Sequence, residues 1–192
     1  FDSFSSIKTG VIGDVMLDTY MWGQVERISP EAPVPVVSLN KKEYRIGGAG
    51  NVALNCKSLG AAVTILSVTG NDTDGMLLSE LFDSNNIDTT YLVKSNTRKT
   101  TSKTRIISRN QQMMRLDDEM TAPLSREDES KLLGQVRNYI AKEDPDIIIF
   151  EDYNKGVLTE KLIQEVIDLC KKAGVLTAVD PKRKNFFSYR HV

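Results

Sequence analysis

The sequence predicts an α/β domain with a mostly parallel central sheet flanked by helices, plus a small β layer projecting from one edge. Three observations lead there. From Asn51 onward, short apolar runs alternate with segments of helical period, the pattern of βαβ units. Residues 146–150 carry three consecutive isoleucines, as a strand covered on both faces should. Segments 33–46 and 98–117 are instead polar on one face, which does not suit a covered parallel sheet, so they are assigned to the projecting layer.

In chain order, 7–13 reads as the first strand and 14–33 as a loop, with a glycine, Ser29-Pro30 and a further proline. Residues 34–37 form a short strand that Pro35 confines to an edge. Residues 41–46 form another. The run Gly47-Gly48-Ala49-Gly50 opens a helix over 51–59 that Gly60 closes. An apolar strand follows at 62–69, then a helix over 73–84 with Met76, Leu77, Leu81 and Phe82 near helical spacing. Residues 88–93 read as a strand, and 100–108 with 111–116 as a hairpin turning at Arg109-Asn110. A Ser-x-x-Asp start at Ser125 and Asp128 opens a helix over 125–141. After the isoleucine strand come a helix over 159–173, with Gly174 at its end, and a last strand at 175–179.

The chain has 192 residues, enough for one domain with a real core. Its net charge of −1 argues against an electrostatic grip on nucleic acid or on an anionic membrane surface. A single histidine, His191, removes His-based triads and His-ligated zinc. Cys56 and Cys170 form no CxxC pair and read as buried free thiols. No apolar run reaches the roughly 20 residues of a membrane span, and the opening residues carry no secretory signal, so a cytoplasmic protein is expected. The chain starts at Phe1 and stops just after a strand, which reads as one incomplete domain over 1–192, cut from a longer protein.

Ligands of open α/β sheets sit beyond the carboxyl ends of the strands. Asp14 and Asp18 follow the first strand. Gly47, Gly48 and Asn51 open a helix. Asp152 and Lys155 follow the isoleucine strand, and Asp180 and Lys182 follow the last. Carboxylates accept from hydroxyls and cations meet phosphate, so this set suits a polyhydroxylated anion in one shared hollow. Each member also has a plain reading. Asp14 and Asp18 fit turns or caps, Asp152 and Lys155 a surface pair, and Arg105, Arg109 and Arg115 a solvated face. Their joint placement points to a site. A second hypothesis rests on Gly48-x-Gly50-x-x-Ala53, a loose dinucleotide fingerprint with Asp72 about 20 residues on, hence a dinucleotide-dependent oxidoreductase. The charged strand before it counts against that. A non-catalytic sugar-phosphate-binding module is a third.

Read together, GDVMLDTY (13–20), GGAGNVALNCKSLGA (47–61) and VTGNDTDG (68–75) resemble the ribokinase-like (PfkB) carbohydrate kinases. RISPEAPVPVV (27–37), SRNQQMMRLD (108–117), EDYNKGVL (151–158) and VDPK (179–182) are similar to that family's heptose-7-phosphate kinase branch. The resemblance spans roughly residues 7–190. It implies transfer of the ATP γ-phosphoryl, with Mg²⁺, to the anomeric hydroxyl of D-glycero-D-manno-heptose 7-phosphate, in ADP-heptose and lipopolysaccharide assembly. It implies that Asp14, Asp18, Gly47, Gly48 and Asn51 hold sugar hydroxyls. Lys103, Arg105 and Arg109 become candidates for the 7-phosphate, Arg109 foremost. Asp152 and Lys155 would lie near the transfer path, Asp152 through a water on Mg²⁺, with Lys182 a further phosphate candidate. The projecting strands would be a lid and a homodimer contact, and some members carry an adenylyltransferase domain. The family's catalytic base belongs to a Gly-Ala-Gly-Asp motif expected beyond Val192, so the chain alone is expected to be inactive.

Overall fold

In the computed structural model, residues 2–192 are described. A four-stranded parallel sheet has the order β10-β9-β1-β4, with β1 Lys8–Gly13, β4 Ala62–Leu66, β9 Ile147–Glu151 and β10 Leu176–Asp180. Side-chain alternation on β1 explains why both faces are covered. Ile12, with Leu66, Ile148 and Phe150, packs under α3 (Arg126–Glu143) and α4 (Glu160–Ala173). Val11, with Val63 and Ile65, packs under α1 (Ala49–Ser58) and α2 (Thr73–Ser84). Of the four helices among the described residues, α2, α3 and α4 start at a capping side chain. Asp72 accepts from the Gly75 N–H, Ser125 from the Asp128 N–H, and Thr159 from the Leu162 N–H. Cys170 is buried and Cys56 half-buried, and both are free thiols. No helix among the described residues is long and apolar enough to cross a membrane.

The second sheet has the order β3-β2-β7-β8. Here the sequence reading needs correction. The expected loop over 14–33 is mostly β2 (Val15–Ile28), a central strand of this sheet. Val15, Thr19, Tyr20, Trp22 and Val25 are strand formers; of the turn residues that suggested a loop, Gly23 lies within the strand and the Ser-Pro and further proline come only after Ile28. The two strands expected within 34–46 are one, β3 (Pro35–Gly48), with Pro35 as its first residue on the edge. β7 (Ser102–Ser108) and β8 (Gln111–Asp118) form the expected hairpin, with Arg109 and Asn110 at positive φ in the turn.

Two further boundaries move. The strand expected over 62–69 breaks at Ser67, whose hydroxyl donates to the Gly13 carbonyl at 2.6 Å. The chain then steps into a separate two-stranded sheet of β5 (Val68–Gly70) and β6 (Val93–Ser95). The strand expected over 88–93 is a single bridge, Thr64 to Asp88, and regular pairing starts only at Val93.

Candidate functional site

One residue, Asp14, separates β1 from β2, so the carboxyl end of the central sheet turns directly into the second sheet. The loop after β9 closes this corner. Asp14 is 1% exposed and accepts from the backbone N–H groups of Tyr153 (2.9 Å), Lys155 (3.1 Å) and Val157 (3.0 Å). Burial pushes its pKa up and these three bonds oppose that. Arg98 ties this loop to the segment before α3. Its guanidinium donates to the carbonyls of Ala122, Met120 and Lys155. The carboxylate expected on a sugar hydroxyl thus has both oxygens on the backbone of residues 153–157, which it positions. Arg98 carries no local sequence signal, and its partners lie more than 20 residues away.

Asp18 lies on the other side of the turn, paired with Arg45 on β3 and Lys103 on β7. A Cβ at Gly47 would collide with the Asp18 carboxylate, so only glycine lets that carboxylate lie on the strand backbone. At Gly48, φ is +59° and a Cβ would meet the Asp14 carbonyl, which accepts from the Ala49 N–H at 3.0 Å. Arg105 holds Asp18 at 2.6 Å, the two side chains being 21% and 17% exposed. Arg105 was expected on phosphate; here it is the counterion of Asp18 and lies over the Tyr20 ring.

Beside this pair runs a chain of charges that sequence reasoning did not assemble. Lys155 pairs with Glu119 at 2.7 Å, Glu119 with Lys103 at 3.3 Å, and Lys103 with Asp117 at 2.9 Å. Glu119 is the first residue beyond β8, and the β7–β8 register brings it toward Lys103. For Glu119, burial would raise the pKa, but hydrogen bonds from Lys155 and Lys103 outweigh it and leave the carboxyl lowered, hence ionised.

Three expected members lie elsewhere. Asn51 is exposed in a depression lined by Tyr44, Ile46, Leu54, Leu81 and Asn85. Strand alternation puts Tyr44 and Ile46 on the face of β3 opposite the one Gly47 turns to Asp18. The depression that Asn51 lines reaches Arg45, the register partner of Asp18, but includes neither Asp14 nor Asp18 themselves. Arg109 is an exposed turn residue six positions beyond Lys103 on the hairpin, about 20 Å along the strand. Lys182 sits at the end of β10, 3.5 Å from Asp180 and over the Tyr153 ring.

Asp152 does not fit a Mg²⁺ site. It is 1% exposed, and its carboxylate accepts from the Asn154 N–H (2.8 Å), the Asn185 amide (2.8 Å) and the Tyr189 hydroxyl (3.1 Å). Among the described residues no group of three His, Cys, Asp or Glu could hold a metal ion. The dinucleotide fingerprint lacks its context too. It follows β3, an antiparallel edge strand of the second sheet, and Gly50 is required by packing against Ile46 and Phe82.

The profile described as "pfkB family carbohydrate kinase" matches residues 7–191. Bifunctional protein HldE of Geobacter sulfurreducens is 42% identical over 190 residues, which is 99% of this chain and 38% of that protein. The chain thus spans a little over a third of the curated relatives it matches. Phosphofructokinase-2 of Escherichia coli, in its tetrameric inhibited form, superimposes with a TM-score of 0.71 at 16% identity, over 95% of this chain and 57% of the other. Ribokinase of Arabidopsis thaliana, solved with ribose and ATP, gives 0.63 at 19%, over 91% and 53%. At such identities these structures establish likeness of fold.

Proposed function

The chain belongs to the pfkB family of carbohydrate kinases, and on that premise we propose that it is the acceptor-binding part of an ATP-dependent kinase for a phosphorylated heptose, D-glycero-D-manno-heptose 7-phosphate. The observation that carries the reading is the Asp18 carboxylate, laid on Gly47 and clamped by Arg105 at the turn between the two sheets. A carboxylate there accepts from sugar hydroxyls, while Lys103 and Lys155 face an anionic tail.

In the reaction the anomeric oxygen attacks the γ-phosphorus of ATP, the bond to the ADP oxygen breaks, and the hydroxyl proton passes to a base. We assign that base to none of the described residues. Asp18, Gly47 and Gly48 hold the acceptor still, which is the main protein contribution in phosphoryl transfer. With no base assigned among the described residues, the 192-residue chain alone is proposed to turn over no ATP. The second sheet serves as the lid. Its opposite face exposes Leu39 on β3 and Met114 and Leu116 on β8, apolar side chains suited to a homodimer contact.

The test is Asp18→Ala in the intact protein. A hydrogen bond to a charged group is worth about 1.5–3 kcal/mol, so kcat/KM for the sugar should fall roughly tenfold or more in a sugar-dependent ADP-release assay. An unchanged kcat/KM would refute the role.

A further inference from the structure

We propose that the Glu119 carboxylate is a built-in stand-in for the substrate's phosphate, and that a phosphomonoester displaces it from between Lys103 and Lys155. This rests on the acceptor reading above and names how that site takes an anion.

The geometry is that of a bridged anion. One Glu119 oxygen lies 2.7 Å from the Lys155 ammonium and the other 3.3 Å from that of Lys103. The two cations come from different parts of the fold, β7 and the loop after β9, and a single carboxylate joins them. The three side chains are 13–20% exposed, dry enough for charge pairing to count and open enough for an exchange. Lys103 is in register with Asp18, so a sugar seated on Asp18 has its tail one strand away from this pair.

What happens on displacement follows from the neighbours. Lys103 keeps Asp117 at 2.9 Å, and Arg115 holds Asp117 in turn. Lys155 gives up its Glu119 partner, so the swap is favoured only when another anion arrives. A phosphomonoester brings close to two negative charges and three acceptor oxygens, against one charge and two oxygens on Glu119. The backbone need not move: Arg98 pins the Met120 and Ala122 carbonyls just beyond Glu119, leaving the side chain to swing outward. An uncharged sugar leaves Glu119 in place. The carboxylate therefore screens the rim against weak anions and yields to a strong one.

The experiment is titration of the intact protein with inorganic phosphate by calorimetry, without nucleotide. Glu119→Gln removes the internal competitor while keeping size, and phosphate should then bind roughly fivefold tighter or more, the scale of one or two partly exposed ion pairs. Unchanged or weaker binding would mean that Glu119 only orders the lysines, and overturns the exchange. Lys155→Met in the otherwise unaltered protein must abolish phosphate binding; retention overturns it independently of how the glutamine variant folds. Sugar-dependent ATP consumption is a separate arm, measured on the longer kinase of which this chain is proposed to be the acceptor-binding part. Its absence with tighter phosphate binding in Glu119→Gln sinks the kinase reading and leaves the exchange standing; its presence with unchanged phosphate binding does the reverse.

Discussion

On one side of the corner, Asp14 and Arg98 bond to backbone; on the other, Asp18, Arg105, Lys103, Glu119 and Lys155 bond to one another. Asp14 is 1% exposed, whereas the side chains of the second group are 13–21% exposed. A buried charge tied to main-chain groups cannot leave without orphaning them, so it builds the frame. A charge tied to a half-exposed side chain of opposite sign can trade that partner for a ligand. Only three residues lie between Asp14 and Asp18, yet one is tied to main chain and the other, on the reading proposed above, belongs to the working surface.

The sharpest way to break this comparison is Asp14→Ala. It would strand three backbone N–H groups in a buried setting, and at about 1–3 kcal/mol for each unsatisfied donor the loss should be about 3 kcal/mol or more. Urea unfolding with an unchanged m-value would register it. If stability held while sugar binding vanished, Asp14 would belong with Asp18 and the division would fail.

The division also marks what the sequence could carry. The isoleucine run, the helix caps and the glycine motif are local signals, and β1, β9 and the four helices follow from them. β2 was hidden because its core-facing Leu17 and its site-facing Asp18 and Tyr20 alternate within one strand, and Gly23 imitates a turn. The frame was less legible still. Arg98 acts on carbonyls 22, 24 and 57 positions away, and Glu119 meets Lys155 across 36. Pairings at that range are made by sheet register, which no spacing in the chain announces. Asp18 meets Gly47 because β2 and β3 bring the first-strand acids against the glycine motif; that Asp14 faces the other way depends on where the strand begins.

Glu151 sharpens the comparison from a third position. It is 6% exposed at the end of β9, and its pKa is pushed up to about 7, first by burial and then by Asp180, with Lys182 opposing. The sign follows from proton uptake. Between about pH 4.5 and 7 the unfolded chain has released this proton and the folded chain still holds it, so raising the pH through that window lowers stability. Below the window both states are protonated, and above it the cost is constant. Glu151→Gln should therefore match the parent near pH 4.5 and melt a few degrees higher at pH 8, about 1 kcal/mol once water reaching the sheet end is allowed for. Equal melting temperatures at both pH values would mean that Glu151 has a compensating partner and behaves like Asp14.

The smallest effect expected is at Arg109. The resemblance singled it out for the sugar phosphate, but it stands in the β7–β8 turn, exposed, beyond Ser108, which pairs with Gly23 rather than with Asp18. With the rim of Lys103 and Lys155 about 20 Å back along the hairpin, a side chain that spans about 7 Å cannot reach an anion there. Arg109→Ala should accordingly change KM for phosphorylated and unphosphorylated sugar by less than about twofold, within the range of an exposed charge. A loss confined to the phosphorylated sugar would carry a different meaning: the hairpin tip would have to meet the anion of a second copy of the chain, and the working surface would then be shared between two subunits.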